Sequence, residues 1–496
     1  MGISKSKFIS GLNCEKRLFL EVNRSELKSP ISADQESKFN SGHRIGALAQ
    51  DRFSGGVNAE PQGDRNFKQW LNSTRLFLDE KRPVIYEAAF SFEGSFCALD
   101  ILIREGDDIV AIEVKGSKEA KEIFIMDAAY QYFVMSQLGF QPKRFYLLLI
   151  DGTYIREKIL DVQQLFQKVD ITDRVIALQA TIKENLDKFN IMLASGLEPR
   201  RNIGPHCSTP YSCPFYNHCS SHLPETNPIT SLRGSADKVW DLHEKGCYSI
   251  EDIPSNYPLQ SRQIAQVNGV KSGASILNAQ PIRKFLAEVE YPLHFFDFET
   301  VWPAIPVAEG IGPFGHLAFQ YSMHIMNSEG GVSHREYLAN PEEIFKGENT
   351  EYDLIQQMKI DFHSEGSIVA YNATFEKNRL KDMKKRFPSE SDFLEGLISR
   401  FVDLMVLFRP QNIYYLPAMK GSYSIKNVLP AIAPEFSYSD LEIGNGGEAS
   451  SIFESKCNGS YDGDWSETKT ALLKYCERDT YGMVVIWNQL NELVAN

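Results

Sequence analysis

Apolar residues recur in this chain with two spacings, every second residue and every third or fourth, and their order lays out its elements. The period of two is clearest between Val84 and Val114. Val84 to Phe92 predicts a strand carrying Glu87. Leu99, Ile101, Leu102 and Ile103 form an apolar run around Asp100, and the chain then turns through Glu105-Gly106-Asp107-Asp108. It re-enters an apolar strand, Ile109 to Val114, within the tract Glu113-Val114-Lys115. Two such strands about a polar, glycine-containing turn predict a β-hairpin. Helical spacing follows from Ala120 to Leu138, with Asp127 and Gln131 one turn apart. Arg144 to Ile150 predicts a buried strand, and Val162 to Ala194 long amphipathic helices. Upstream, Phe8, Leu12, Leu18 and Leu20 mark a short helix bearing Cys14, Lys16 and Arg17, while residues 39–53 and 67–78 also have helical spacing.

The second half repeats the alternation of strand and helix. Residues 226–285 break the composition and predict a small helical linker. A nucleic-acid-binding helix-hairpin-helix around Gly269 and Gly273 is the functional alternative there, and a spacer is the simpler one. A strand then enters at Tyr291 and carries Asp297-Phe298-Glu299, which places both acids on one face. Strands near 317–325 and 333–338, a helix at 351–362, a strand at 367–371 and Phe401-Val402-Asp403 come next. A helix from Thr468 to Leu490 carries Tyr475 and Asp479 at i, i+4, on one face. The fold class is therefore α/β, with two mixed-sheet domains at 1–225 and 286–496 joined by the linker.

Length agrees, since 496 residues suit two or more cores. No apolar run reaches membrane-spanning length, and the start, Met-Gly-Ile-Ser-Lys-Ser-Lys, leads into no signal-peptide core. The expectation is a cytoplasmic protein with no membrane partner. Met-Gly followed by Ser6 matches a myristoylation signal no better than chance does. A net charge of −13 argues against whole-surface attraction to nucleic acid, yet leaves room for a basic groove.

Chemistry concentrates at three places. The hairpin brings Asp100 near Glu113, with Lys115 on the same face, a set able to hold a divalent cation and stabilise charge on a phosphate. Taken alone, acid-x-Lys on a strand is usually a solvated ion pair. Cys207, Cys213 and Cys219, each separated by five residues in a proline-rich loop, read as metal ligands rather than disulfide partners. Cys14 is the economical fourth ligand, and a zinc site using His206, His218 or His222 is the alternative. The acids Asp297, Glu299, Glu376 and Asp479 make the third place.

Asp100, Glu113-x-Lys115 and Gln131 together resemble the PD-(D/E)XK nucleases of the RecB type, of restriction-endonuclease-like fold. The resemblance covers residues 4–225 and implies that Asp100 and Glu113 bind metal, Lys115 orients a water and Gln131, with Glu87, supports them. One early cysteine and three late ones are similar to the iron–sulfur staple of such nucleases, a CRISPR-associated group included, and imply a 4Fe-4S cluster on Cys14, Cys207, Cys213 and Cys219. A histidine ligand common on that family's first helix is absent; Gln50 stands nearest that place and His43 two turns before. In the second half, Asp297-x-Glu299, Asn372-x-x-Phe375-Glu376 and Tyr475-x-x-x-Asp479 resemble the DEDD exonucleases, DnaQ-like and of RNase H fold, in their tyrosine subtype. That implies Mg²⁺ or Mn²⁺ held by Asp297, Glu299, Glu376 and Asp479, with Tyr475 orienting the water. Glu376 departs from the family's aspartate, with Asp403 as a stand-in, and Lys420, Tyr423 and Lys426 are candidate phosphate or base contacts. The tract from Lys420 to Lys426 and the turn from Gly444 to Glu448 resemble an uncharacterised bacterial domain family on this fold. The expectation is a DNA exonuclease with two centres, in DNA repair or defence against foreign DNA. An RNA exonuclease, or a nucleic-acid-binding scaffold with inactive centres, is the alternative.

Overall fold

A computed structural model describes residues 2–31, 33–63, 66–409 and 413–495. The chain is mixed α/β and divides into two compact units, Met1–Ser221 with Ala304–Pro306 and Gly312–Phe314, and the remainder from His222 to Asn496. Among the described residues no helix is long and apolar enough to cross a membrane.

The first unit is built on a seven-stranded mixed sheet: β1 (Ile3–Ser4), β2 (Val57–Asn58), β3 (Val84–Phe92), β4 (Ser95–Glu105), β5 (Asp108–Lys115), β6 (Arg144–Ile150) and β7 (Phe166–Asp170). Strands β2 to β7 lie in sequence order. The β4–β5 hairpin closes Glu105 on Asp108 through Gly106, whose φ of +67° a side chain would resist. Pairing between β3 and β4 runs from Val84↔Ile103 to Phe92↔Ser95 and breaks only at Glu87, opposite Asp100. Because β5 pairs with β4 from Ile101 onward, the first residues of β4 are left uncovered on that edge, and β1 fills the gap in parallel, Ile3 beside Ser95. The helix Glu122–Gln137 returns the chain across the sheet between the parallel strands β5 and β6. Its Ile125, Ala128, Ala129 and Val134 pack with Leu99, Leu102, Ala111 and Leu147 in the main core.

In the second unit the strands are β8 (Ile276–Leu277), β9 (Leu293–Val301), β10 (Leu317–Met326), β11 (Val332–Leu338), β12 (Ile368–Ala370), β13 (Phe401–Asp403) and β14 (Tyr414–Tyr415). Five form a mixed sheet in the order β11-β10-β9-β12-β13, antiparallel from β11 to β9 and parallel from β9 to β13. Alternation along β9 sorts its residues. Phe296 and Phe298 pack with Leu354, Met358 and Leu380 of the helices Glu351–Asp361 and Ala373–Arg386. Leu293 and Phe295 pack with Val484, Trp487 and Leu490 of the long helix Trp465–Ala495. Asp297 and Glu299 share the parity of Phe295, so they too face the long helix.

Residues 226–285, expected as a linker, carry helices at Ala236–Glu244 and Ser261–Ser272, and a third, Ala279–Ala287, runs past their end. Ala265 and Ile282 are buried in the same core as Trp487, and β8 pairs with β14, so this stretch is part of the second unit's packing. Gly269 lies inside the second of these helices against the Tyr415 ring, and Gly273 ends it in the left-handed conformation. Their roles there are packing and capping.

Candidate metal and phosphate centres

In the first unit, strand alternation and the hairpin register set Asp100, Glu113 and Lys115 side by side, and one turn of helix adds Asp127 and Gln131. Glu113 is buried, and its oxygens are divided among three donors. Lys115 Nζ lies 2.8 Å and Lys5 Nζ 2.7 Å from Oε1, while Gln131 Nε2 donates to Oε2 at 2.7 Å. Lys115 also pairs with Asp127 Oδ2 at 2.6 Å, and Asp100 Oδ2 accepts from Val114 N at 2.6 Å. Burial would raise the Glu113 carboxyl, but the two ammonium groups outweigh it and hold the group ionised far below the usual carboxylate range. Asp100 behaves oppositely: burial, then the Glu113 charge, push it up to about 7. Glu87 is pushed up to about 8 by burial and then by Asp100. It sits at φ +50° in mid-strand, a left-handed conformation that costs an ordinary residue about 1–2 kcal/mol.

The site therefore holds more carboxylate than its lysines neutralise, and Asp127 Oδ1 and Gln131 Oε1 are buried with no hydrogen-bond partner among the described residues. That is a fit for a small divalent cation. Beside it lies an open groove of about 430 Å³ whose charged lining is Lys5, Arg17, Lys28 and Lys115 with Glu21 and Asp127, Arg17 being paired with Glu21. His43 and Gln50 share the helix Ala33–Arg52; His43 is exposed, and the Gln50 carbonyl accepts the Tyr86 hydroxyl at 3.2 Å.

Cys14, Cys207, Cys213 and Cys219 line one small cavity with Arg17, Phe215 and His206. A helix-helix turn presents Cys14, and Asn13 Nδ2 ties it to the loop by donating to the His206 carbonyl at 2.8 Å. Cys213 N donates to Cys207 O at 2.8 Å, which folds the loop over the cavity. Burial raises the Cys207, Cys213 and Cys219 thiols, the last to about 11. Of the candidate histidine ligands, His206 lines this cavity, whereas His222 Nε2 lies 3.2 Å from His243 Nε2.

In the second unit, Asp297 and Glu299 on β9, Glu376 in the first turn of its helix and Asp479 on the long helix converge. Glu299, Glu376 and Asp479 are each at most 8% exposed, so most of the cluster is shut off from bulk solvent. Burial, then mutual repulsion, raise Asp297, Glu299 and Glu376 well past the usual carboxylate range; Asp479 is among the charges acting on the first two, Asp297 and Glu299 among those acting on Glu376. Asp297 and Glu376 share a hydrogen bond, the Phe298 amide donates to Glu376, and Glu376 Oε2 is buried without a partner among the described residues. Asp479 accepts from Tyr438 Oη at 2.5 Å and from Tyr475. Lys426 Nζ lies 5.0 Å from the Tyr475 ring centre and 5.4 Å from that of Tyr438, anchored on the Gly444 carbonyl at 2.9 Å. The wall opposite is Gly446, where a β-carbon would stand 3.3 Å from Glu299 Oε2 and 3.7 Å from the Tyr475 hydroxyl. One oxygen each of Asp297 and Glu299 and the Cys476 sulfur lie within 4.8 Å of one another. Crowded, buried, mutually repelling carboxyls with an orphan oxygen also fit divalent cations.

Asp403 is not in this cluster: it caps Asn372 N and Met405 N at 3.1 Å and pairs with Arg409 at 2.9 Å. Lys420 is left-handed at φ +50°, and Tyr423 stacks under Arg262, 4.5 Å from the ring centre. Lys5 and Tyr438 belong to the centres without any local motif to mark them.

Residues 294–424 match the model of a family described as a domain of unknown function, DUF2779. That stretch holds Asp297, Glu299 and Glu376 and stops before Lys426, Tyr475 and Asp479. An uncharacterised protein of Mycoplasma pneumoniae is 29% identical over 219 residues, 41% of this chain and 32% of that protein. Others from Ureaplasma parvum and Mycoplasma genitalium are each 26% identical, over 40% of this chain and 31% and 32% of their own lengths. The chain thus spans about a third of the length of the curated relatives it matches.

Proposed function

We propose that the protein is a metal-dependent nuclease with two centres, a PD-(D/E)XK type in the first unit and a DEDD type of RNase H-like fold in the second, acting on DNA before RNA. The observation that carries this reading is the convergence of four carboxyls from three elements in the second unit, three of them buried and Asp297 partly so, with a tyrosine and a lysine beside them. An antiparallel three-strand sheet continued by two parallel strands, acids on its central strand, supports the fold assignment.

Mg²⁺ or Mn²⁺ held by Asp297, Glu299, Glu376 and Asp479 would neutralise charge on a phosphodiester and acidify a water. Tyr475, fixed by Asp479 and facing Gly446, is placed to orient that water. Lys426 adds positive charge on the same side. In the first unit Asp100 and Glu113 would hold the cation, Gln131 fixes Glu113, and Lys115 and Lys5 bring ammonium groups to the phosphate. The groove beside them, with four cationic side chains against two carboxylates, suits the backbone of a nucleic acid strand. For the cysteines, four thiols lining one cavity suit a 4Fe-4S cluster, with Zn²⁺ as the alternative. A role in DNA repair or in defence against foreign DNA follows from the same resemblance.

Lys5 favours one rival for the first unit. It already compensates Glu113, as it would in a phosphate-binding groove that does not cut. Labelled single- and double-stranded DNA and RNA, incubated with the full chain and Mg²⁺ or Mn²⁺, separate the readings. Cleavage should fall in Glu113→Ala and in Asp297→Ala and vanish in the double variant. Cleavage unchanged in the double variant, or none by the native chain on any substrate, sinks the nuclease.

A further inference from the structure

The five-stranded sheet carries a second cluster of ligating groups that the carboxylate centre does not use. His324 on β10 and His334 on β11 are directly paired across the antiparallel ladder, and their rings stack 4.4 Å apart at 27°. Glu477 reaches the pair from the long helix. One ring nitrogen of each histidine and one carboxylate oxygen of Glu477 all lie within 4.8 Å of one another.

The remaining ring nitrogens are already committed. His324 Nδ1 lies 2.9 Å from Thr480 Oγ1, and His334 Nε2 lies 2.9 Å from Ser322 Oγ. Ser322 and Thr480 are themselves 2.7 Å apart, so one hydroxyl bridge orients both rings. This leaves Nε2 of His324 and Nδ1 of His334 for a ligand. An outer shell that fixes each imidazole by its far nitrogen is the usual companion of a metal-bound histidine. Burial, and after it His334, hold His324 down to about 4, so its ring is neutral and able to donate.

We propose that His324, His334 and Glu477 bind one zinc ion. Two imidazoles and one carboxylate select a borderline transition cation over Mg²⁺, which prefers an all-oxygen shell. Zinc takes four ligands, so a water completes the set on the exposed Glu477 side. The ion would pin the edge strand β11 to the long helix. It would share no ligand with the carboxylate centre, and on the helix Glu477 lies roughly 160° round from Asp479.

The test uses the full chain, stripped with chelator and held in millimolar Mg²⁺ so that the carboxylate centres are occupied. Zinc is titrated against a chromophoric chelator, with His334→Asn and Glu477→Gln alongside. The native chain should bind one more zinc than either variant. Loss of an inner ligand should exceed the roughly 10–100-fold that outer partners are worth, so the variants' affinity should fall at least about 100-fold. Cobalt(II) gives an independent reading. At this site its spectrum should lack the intense near-ultraviolet thiolate band, which identifies any cation taken by the cysteines. Metal-free melting temperatures should match, because Glu477 is exposed and His334 lies on an edge strand, while zinc raises that of the native chain above either variant's. Equal zinc stoichiometry and affinity in all three proteins, or a cobalt spectrum dominated by thiolate in the signal that Glu477→Gln removes, would overturn the proposal.

Discussion

Lys5 shows how much of a centre can arrive from outside its motif. It meets Glu113 from 108 residues away in sequence, delivered by a two-residue strand that fills a gap beside β4. Nothing near Lys5 in the sequence marks it, whereas Asp100, Glu113, Lys115 and Gln131 are legible because a hairpin and one helix turn fix their spacing. On an Asp297→Ala background, Lys5→Ala should slow cleavage by about 100-fold, the scale of one lost electrostatic donor. Folding should persist, since Lys115 and Gln131 still satisfy Glu113. A Lys5→Ala rate equal to the parent's would remove Lys5 from the centre. Glu376 gives the opposite sign. Neutralising one member of a repelling set on a Glu113→Ala background, Glu376→Gln should leave the metal-free melting temperature unchanged or higher, yet abolish the rise that Mn²⁺ produces. Glu376→Asp should keep that rise in part if position 376 is a ligand. A full Mn²⁺ response in Glu376→Gln would show that it is not.

At the scale of elements, alternation along β9 made the face of Asp297 and Glu299 readable, and helix spacing did the same for Tyr475 and Asp479. The left-handed Glu87 was not readable, because a strand pattern gives no sign of one residue turned out of the ladder. The zinc triad escaped for a related reason: its members lie on three elements with no short spacing among them. Gly446 opens the helix Gly446–Cys457 within contact of Glu299 and Tyr475. Gly446→Ala should keep stability or add up to about 1 kcal/mol, as alanine suits a helix better than glycine. The added methyl must displace Glu299 or the tyrosine, so the second centre should slow by roughly 10- to 100-fold. Measured on a Glu113→Ala background, a normal rate would mean that Glu299 is not where the chemistry happens.

For the whole molecule, the order of α/β elements was legible, while residues 226–285 were not. Their composition breaks from the rest, but Ile282 and Ala265 become core only through partners some 200 residues later, such as Trp487. The cysteines test the division of labour along the chain. Protein purified without oxygen should be brown, with about four irons per chain in the four-iron case. Cys213→Ser should bleach it and lower the Glu113-dependent rate through loss of folding in the first unit, while sparing the Asp297-dependent rate. Colourless protein with stoichiometric zinc would replace the iron and keep the staple. A Cys213→Ser chain equal to the native one in metal content and stability would discard both.

The long helix Trp465–Ala495 presents Tyr475, Cys476 and Asp479 to one neighbourhood and Glu477 and Thr480 to another. Each residue added to a helix turns everything beyond it by about 100° and moves it about 1.5 Å. A single insertion or deletion between Thr468 and Tyr475 would therefore swing both sets out of alignment at once. Length in this helix is a shared constraint. Lineages can exchange side chains along it one at a time, but they cannot lengthen or shorten it without surrendering two neighbourhoods together.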